Sequence, residues 1–259
     1  MGAPVYVPAS GSDDAPAINA ALASDGSVVL GAETYQIQTT IIVPQTAMLR
    51  GQARATKIVK AANIDMLDLG YGASIEDLSL DGDGANFTGR GVVIRAGQHY
   101  QRMVNVHVNS NGYCVDFEAP DAGTHAKIED CFITRYPSLT SYSIKLPDSD
   151  SLSGGNRTLR DIRSSGGYGV DIAGAHNTAI DRCNMAMIRM DAGCKTLIVQ
   201  NSRIGGPVEW RGSGLWVAFN NISNGSYITP QAYSSLFIMT HSNAPIGRQD
   251  PPANANTVW

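Results

Sequence analysis

Charge is scarce in this sequence. Asp, Glu, Lys and Arg make up 16% of its 259 residues, against roughly 25% in an ordinary globular domain. The 19 Lys plus Arg form no run and the formal net charge is -4. The concentrated basic face that phosphate neutralisation requires is therefore missing, which excludes nucleic acid as a partner. No stretch approaches about 18 consecutive apolar residues, so no membrane insertion is expected. The opening Met1 to Gly11 lacks the basic and apolar regions of a signal peptide, so the chain is expected to be soluble and made in the cytoplasm, or extracellular if it is a processed secreted enzyme. Cysteine is sparse too. Cys114, Cys131, Cys183 and Cys194 show no CxxC and no His at ligand spacing, and read as buried thiols, with no metal and no cofactor.

What is present points elsewhere. A hydrophobic content of 43% with 27 Gly excludes disorder and a long coiled coil, and the length suits one large domain. Ser12-Asp13-Asp14 ahead of Ala15 to Ala23 reads as a capped helix with Pro16 in its first turn, burying Ile18, Ala21 and Leu22 and stopped by Gly26. Short strands follow at Ser27 to Leu30, Thr34 to Ile37, Thr40 to Val43 and Met48 to Gly51.

After Gly70 the chain repeats itself. One strand type reads apolar-x-x-apolar-x-apolar: Ile75 to Leu80, Met103 to Val108, Ile128 to Ile133, Leu159 to Ile162 and Ile180 to Met185, with looser copies from Val199, Val217 and Ile238. Their starts lie 28, 25, 31, 21, 19, 18 and 21 residues apart. A second type, apolar-x-apolar, sits between them at Val92 to Ile94, Val115 to Phe117, Ile144 to Leu146, Val170 to Ile172, Ile188 to Met190, Val208 to Trp210 and Ile228. Two strand types alternating at one period imply a coil, whose apolar face is buried only by stacking on neighbours. The expectation is an all-β parallel β-helix of about eight coils, near 40 Å long at about 4.8 Å per coil, with a short N-terminal capping helix. A β-sandwich would need evenly spaced strands without this two-strand unit. The expected organisation is an N-terminal segment and capping helix over 1–25, a β-helix over 26–243 and an extended tail over 244–259, with Trp259 offered for docking.

Stacking converts the pattern into a surface map. The outward column of the second strand type is Val93, Asp116, Lys145, Asp171, Arg189, Glu209 and Thr229, and its signs alternate from Asp116 to Glu209. Arg95 beside Glu118 and Asp191 beside Arg211 repeat the theme, as a register-fixing ladder would. Carboxylates two coils apart, Asp116 with Asp171 or Asp171 with Glu209, stand about 9.6 Å from each other, at the upper edge of an inverting glycosidase pair. The intervening Lys145 or Arg189 lowers a carboxylate pKa and counts against a general acid. The candidate catalytic residues are Asp171, Glu209 and Arg189. A lyase would add Arg211 as a uronate-neutralising cation and Ca²⁺ held by Asp171, Asp191 or Glu209. Candidate substrate-binding residues are Trp216, Asp116, Lys145, Arg211, and Asp148 with Asp150 in the loop Pro147 to Arg157; Gly82 to Arg90 forms another excursion. Tyr113, Tyr142 and Tyr168 each precede a second-type strand by two residues and should stack on successive coils. His99, His107, His125, His176 and His241 share no register with one another.

The segment SDDAPAINAALASDGSVVLGAETYQIQTTIIVPQTAMLRGQ, from Ser12 to Gln52, resembles the start of the pectate-lyase-like right-handed parallel β-helix superfamily, particularly its bacteriophage tailspike members. There an Asp-Asp-x-x-Ala-Ile-x-x-Ala-Leu helix caps the open end and a Gly-x-Val-x-Leu-x-x-x-x-Tyr unit begins the first coil. The resemblance implies a homotrimer on a virion, assembled in the host cytoplasm with other virion proteins, that binds and often cuts host surface polysaccharide. No Asn-Thr-Asp, Gly-His-Gly or Arg-Ile-Lys of the polygalacturonase type occurs. Binding is therefore expected ahead of catalysis, with a polysaccharide lyase or glycoside hydrolase and a purely structural virion protein as the other readings.

Overall fold

In the computed structural model Ala15–Asp25 forms the one α-helix among the described residues, with Pro16 in the first turn, where its missing N–H is not needed, and Gly26 closing it at φ 68°. Ala15, Ile18 and Leu22 are its buried residues. Asp14 stands at the N-cap, but its side chain takes no N–H of the helix. Its carboxylate accepts from Ser10 N and Oγ, both at 2.6 Å, and from Gln36 N at 2.8 Å. Asp13 accepts from Ala15 N at 3.3 Å and from Gln38 N at 2.9 Å. The Asn19 amide donates to Thr40 O at 3.0 Å and accepts from Ile42 N at 2.8 Å. Ile41–Val43 is the outermost strand of its sheet, and an edge leaves backbone groups unpaired. The helix thus closes the solenoid by hydrogen-bonding its first coil as well as by covering the core.

Residues 4–82, 86–119, 121–135, 142–146, 156–164, 171–174, 178–190, 196–204, 208–210, 215–222, 228–230, 236–239 and 256–258 are described, with backbone alone for 135, 171–174, 189–190, 196–197 and 204 onward. They build a right-handed parallel β-helix. A first sheet holds 16 strands and a second holds nine, running from Ile41–Val43 to Ile228–Pro230. Nine stacked strands differ slightly from the eight coils expected. Every ladder of the solenoid is parallel, for example Met103 beside Ile75 and Ile128, and Val115 beside Val92 and Ile144. Parallel stacking of this kind rules out the sandwich. Ile75, Met103, Ile128, Leu159, Ile180 and Val199 form one buried file down the interior.

The longer repeat is not a straight strand. Its third residue is left-handed in successive coils: Asp77 (φ 55°), Asn105 (φ 51°), Asp130 (φ 54°), Asp161 (φ 55°), Arg182 (φ 53°) and Asn201 (φ 52°). One left-handed residue turns the chain through a corner, so each copy is two short arms, and Asp and Asn tolerate this conformation best. Cys114, Cys131 and Cys183 are buried free thiols, and burial pushes Cys131 and Cys183 up to about 12; Cys194 lies outside the described residues. Tyr35, fully buried, donates to Val7 O at 2.9 Å and accepts from Gly31 N at 2.8 Å. Val5–Val7 pairs with Ser27–Leu30, and Asn256–Val258 pairs with Leu236–Met239, while Trp259 lies outside the described residues.

Candidate functional site

The outward column of the second sheet follows the expected order in part. Val93 pairs with Asp116, Asp116 with Lys145, Arg189 with Glu209 and Glu209 with Thr229. Asp171 does not belong to it. Lys145 and Arg189 both align with Ala173, because Ile172 is the residue in register with Ile144 and Ile188, which puts Asp171 beside Met187. Apolar residues alternate so densely along Val170-Asp-Ile-Ala that either register satisfies the pattern, and the structure takes the later one. The carboxylate pairs built on Asp171 therefore lose their two-coil geometry. For Asp171, Arg189, Glu209 and Trp216 only the backbone is described, and Arg211, Asp191, Asp148 and Asp150 lie outside the described residues. Tyr113 and Tyr142 are equivalent, each two residues before a paired Val115 and Ile144, with Tyr168 outside the described residues.

Asp116 is the centre of an ion-pair network. Its side chain is 3% exposed, with Arg90 Nη1 at 2.8 Å and Lys145 Nζ at 3.3 Å. Arg90 also binds Asp65 at 2.6 Å and Glu118 at 2.6 Å, and Arg95 links Glu118 at 3.0 Å to Asp68 at 2.5 Å. Burial pushes Asp65 up, yet hydrogen bonds from the Arg90 guanidinium and backbone outweigh it and hold the carboxyl below its usual range. The Arg95–Glu118 pairing expected from the coil register is present. The first sheet carries a matching ladder: Arg160 meets Glu129 at 3.4 Å and Asp181 at 3.5 Å. Such charges stitch coil to coil.

Behind this network sits a buried lysine. Lys60 Nζ donates to Gly89 O at 2.6 Å, and burial lowers it to about 8. The Asn63 Oδ1 accepts from Thr88 N at 2.9 Å and Gly89 N at 3.0 Å, so the described end of the loop Gly82 to Arg90 is pinned to the coil below it.

A different surface carries exposed rings. Two residues before the paired Met48, Ser74, Arg102, Lys127 and Thr158 of the first sheet the backbone is left-handed, at Thr46 (φ 59°), Gly72 (φ 64°), Tyr100 (φ 63°), His125 (φ 61°) and Asn156 (φ 62°). Tyr100 and His125 repeat one backbone conformation on adjacent coils, so their rings stack at 5.0 Å and 17°. Tyr71 adds a tilted contact to Tyr100 at 5.5 Å and an edge contact to His99 at 5.8 Å. Tyr71 is 38% and Tyr100 52% exposed. The buried Nδ1 of His99 has no hydrogen-bond partner among the described residues. Sequence reasoning missed this column by treating histidines singly. The signal was there, since Tyr71, His99 and Thr124 each stand three residues before paired Ser74, Arg102 and Lys127.

No protein-family model and no curated protein sequence matches the chain. Solved structures do. ORF18 of Geobacillus virus E2 is 12% identical with a TM-score of 0.55, covering 98% of this chain, which spans 60% of that protein. The A-module of the mannuronan C-5 epimerase AlgE6 from Azotobacter vinelandii is 16% identical at TM-score 0.54, covering 95% and 94% of the two chains. The catalytic domain of a GH87 alpha-1,3-glucanase, in complex with tetrasaccharides, is 13% identical at TM-score 0.51, covering 100% and 69%. At these identities the likeness is one of fold.

Proposed function

We propose that this chain binds polysaccharide along the corner formed by Tyr71, Tyr100 and His125, as a bacteriophage tailspike-like protein of the virion surface that recognises host cell-surface glycan. The observation that carries the reading is the left-handed backbone at Tyr100 and His125. A bulky side chain there costs about 1–2 kcal/mol relative to the Gly72 solution one coil away. That cost places two flat rings in stack facing solvent, where they add nothing to the core. A stacked aromatic surface suits the apolar face of sugar rings, and its repeat of about 4.8 Å along the axis suits a linear chain.

The comparisons support this direction, since a phage protein and two polysaccharide-acting enzymes share the fold. Binding comes ahead of catalysis because the sequence carries no Asn-Thr-Asp, Gly-His-Gly or Arg-Ile-Lys of the polygalacturonase type. The same reading makes the protein a homotrimer, contacting other virion proteins, with no cofactor. Incubation with a panel of bacterial capsules and O-antigens tests it. Retained polysaccharide of unchanged length is the expected result. Shortened chains or unsaturated sugar ends would replace binding by cleavage, and no retention of any member would end the proposal.

A further inference from the structure

The bend between the two arms of the first sheet opens a second surface. Register places Lys57, Ser79, His107, Phe132 and Arg163 in one outward file on successive coils. A groove of about 320 Å³ lies over this file, lined by Arg54, His107, Asp130, Phe132, Asp161 and Arg163 among others, within the size range of small-ligand sites. Phe132 forms its floor, half-buried, with the His107 ring edge-on at 5.0 Å and the Arg54 guanidinium 4.8 Å from its centroid. His107 is fixed by Ser79 Oγ and Thr134 Oγ1, each at 3.4 Å. Burial, with Arg54 and Lys57 nearby and Asp81 opposing them, holds its pKa below the usual imidazole value.

The charge balance is unusual for this protein. Arg50, Arg90, Arg95, Arg102, Arg160 and Arg182 each meet a carboxylate. Arg54 and Arg163 are exposed, and among the described residues neither meets one. Of the two groove carboxylates, Asp161 is already bound by Arg182 at 2.5 and 2.9 Å. Asp130 is left against two guanidiniums, and the groove keeps a positive excess beside an aromatic face. Guanidinium groups free to form paired hydrogen bonds select planar or tetrahedral oxyanions.

We infer that this groove binds a sugar residue carrying an anionic substituent, with Phe132 against the ring and Arg54 and Arg163 on the charged group. The choice of a sugar rests on the polysaccharide reading, whereas the residues are separate from the Tyr100 column. Chemical-shift perturbation of the full chain with glucuronate, glucose 6-phosphate, glucose and inorganic phosphate tests it. Both charged sugars should bind at least about tenfold more tightly than glucose or phosphate alone, and Arg54→Ala and Arg163→Ala should each lose about tenfold. The stronger of the two charged sugars identifies carboxylate or phosphate as the natural group. Tyr100→Asn should leave this binding unchanged, which separates failure of the groove from failure of the aromatic corner. Equal binding of glucose and glucuronate, phosphate bound as tightly as its sugar ester, or full affinity in the Arg54→Ala/Arg163→Ala protein with an unchanged melting temperature would overturn the inference.

Discussion

Replacing Arg90 with alanine removes the cation that Asp65, Asp116 and Glu118 share. The severe consequence falls on Asp116, whose side chain is 3% exposed and keeps only Lys145 Nζ, at 3.3 Å and without an aligned hydrogen bond to Oδ1. Breaking one partner out of a buried pair costs about 3–5 kcal/mol. Lys145 compensates in part and Arg90 is itself 24% exposed, so a loss of about 3 kcal/mol is expected, or about 6–12 °C in melting temperature for a chain of this size. Arg182→Ala is the control, because Arg182 is 52% exposed and binds Asp161 on the surface, where ion pairs stabilise little. Differential scanning calorimetry of both variants gives the comparison. The pH dependence adds a second readout. The Asp65 carboxyl is held below its usual range, so its contribution is full above the unfolded value and is lost as pH falls through the folded one. The gap between wild type and Arg90→Ala should accordingly narrow from about pH 7 to about pH 3. Equal losses for Arg90→Ala and Arg182→Ala, at all pH values, would refute the reasoning.

Three further outcomes follow from the same structure. Asn105→Val places a β-branched residue at φ 51° and removes the hydrogen bond to Asp77 at 2.7 Å; chemical denaturation should show a loss of about 2 kcal/mol, and Asn105→Gly should lose less. Lys60 is lowered to about 8 from 10.5, so the unfolded chain binds more protons between those values and wild-type stability should rise as pH climbs from about 8 to about 10.5, a rise that Lys60→Met should abolish in thermal melts. The thiols of Cys131 and Cys183, pushed up to about 12 by burial, should resist alkylation in the native protein and react on unfolding, as peptide mass spectrometry would record.

The sequence carried the fold more fully than the site. Ile75, Met103 and Ile128 fall at a repeat that only stacking satisfies, and Asp14 and Leu22 sit where an end-capping helix needs them, although Asp14 turned out to bind Ser10 and Gln36 in place of its own helix. The bend was written in the sequence as Asp77, Asn105, Asp130 and Asp161 at one position, yet polar residues between apolar ones also fit a straight strand. Arg95 with Glu118 was legible because both flank unambiguous strands, whereas Asp171 was misplaced by a register that its apolar neighbours leave open. The exposed column was harder to see. Tyr71, Tyr100 and His125 are different residue types at unequal spacings, and only the backbone conformation that unites two of them shows that they stack.

Tyr100→Asn provides the most direct test of polysaccharide binding at this corner. Asparagine accepts the left-handed backbone that tyrosine strains, so the account predicts a melting temperature equal to or above that of wild type together with loss of the retained polysaccharide. A variant that melts lower than wild type, or that retains polysaccharide in full, would contradict it.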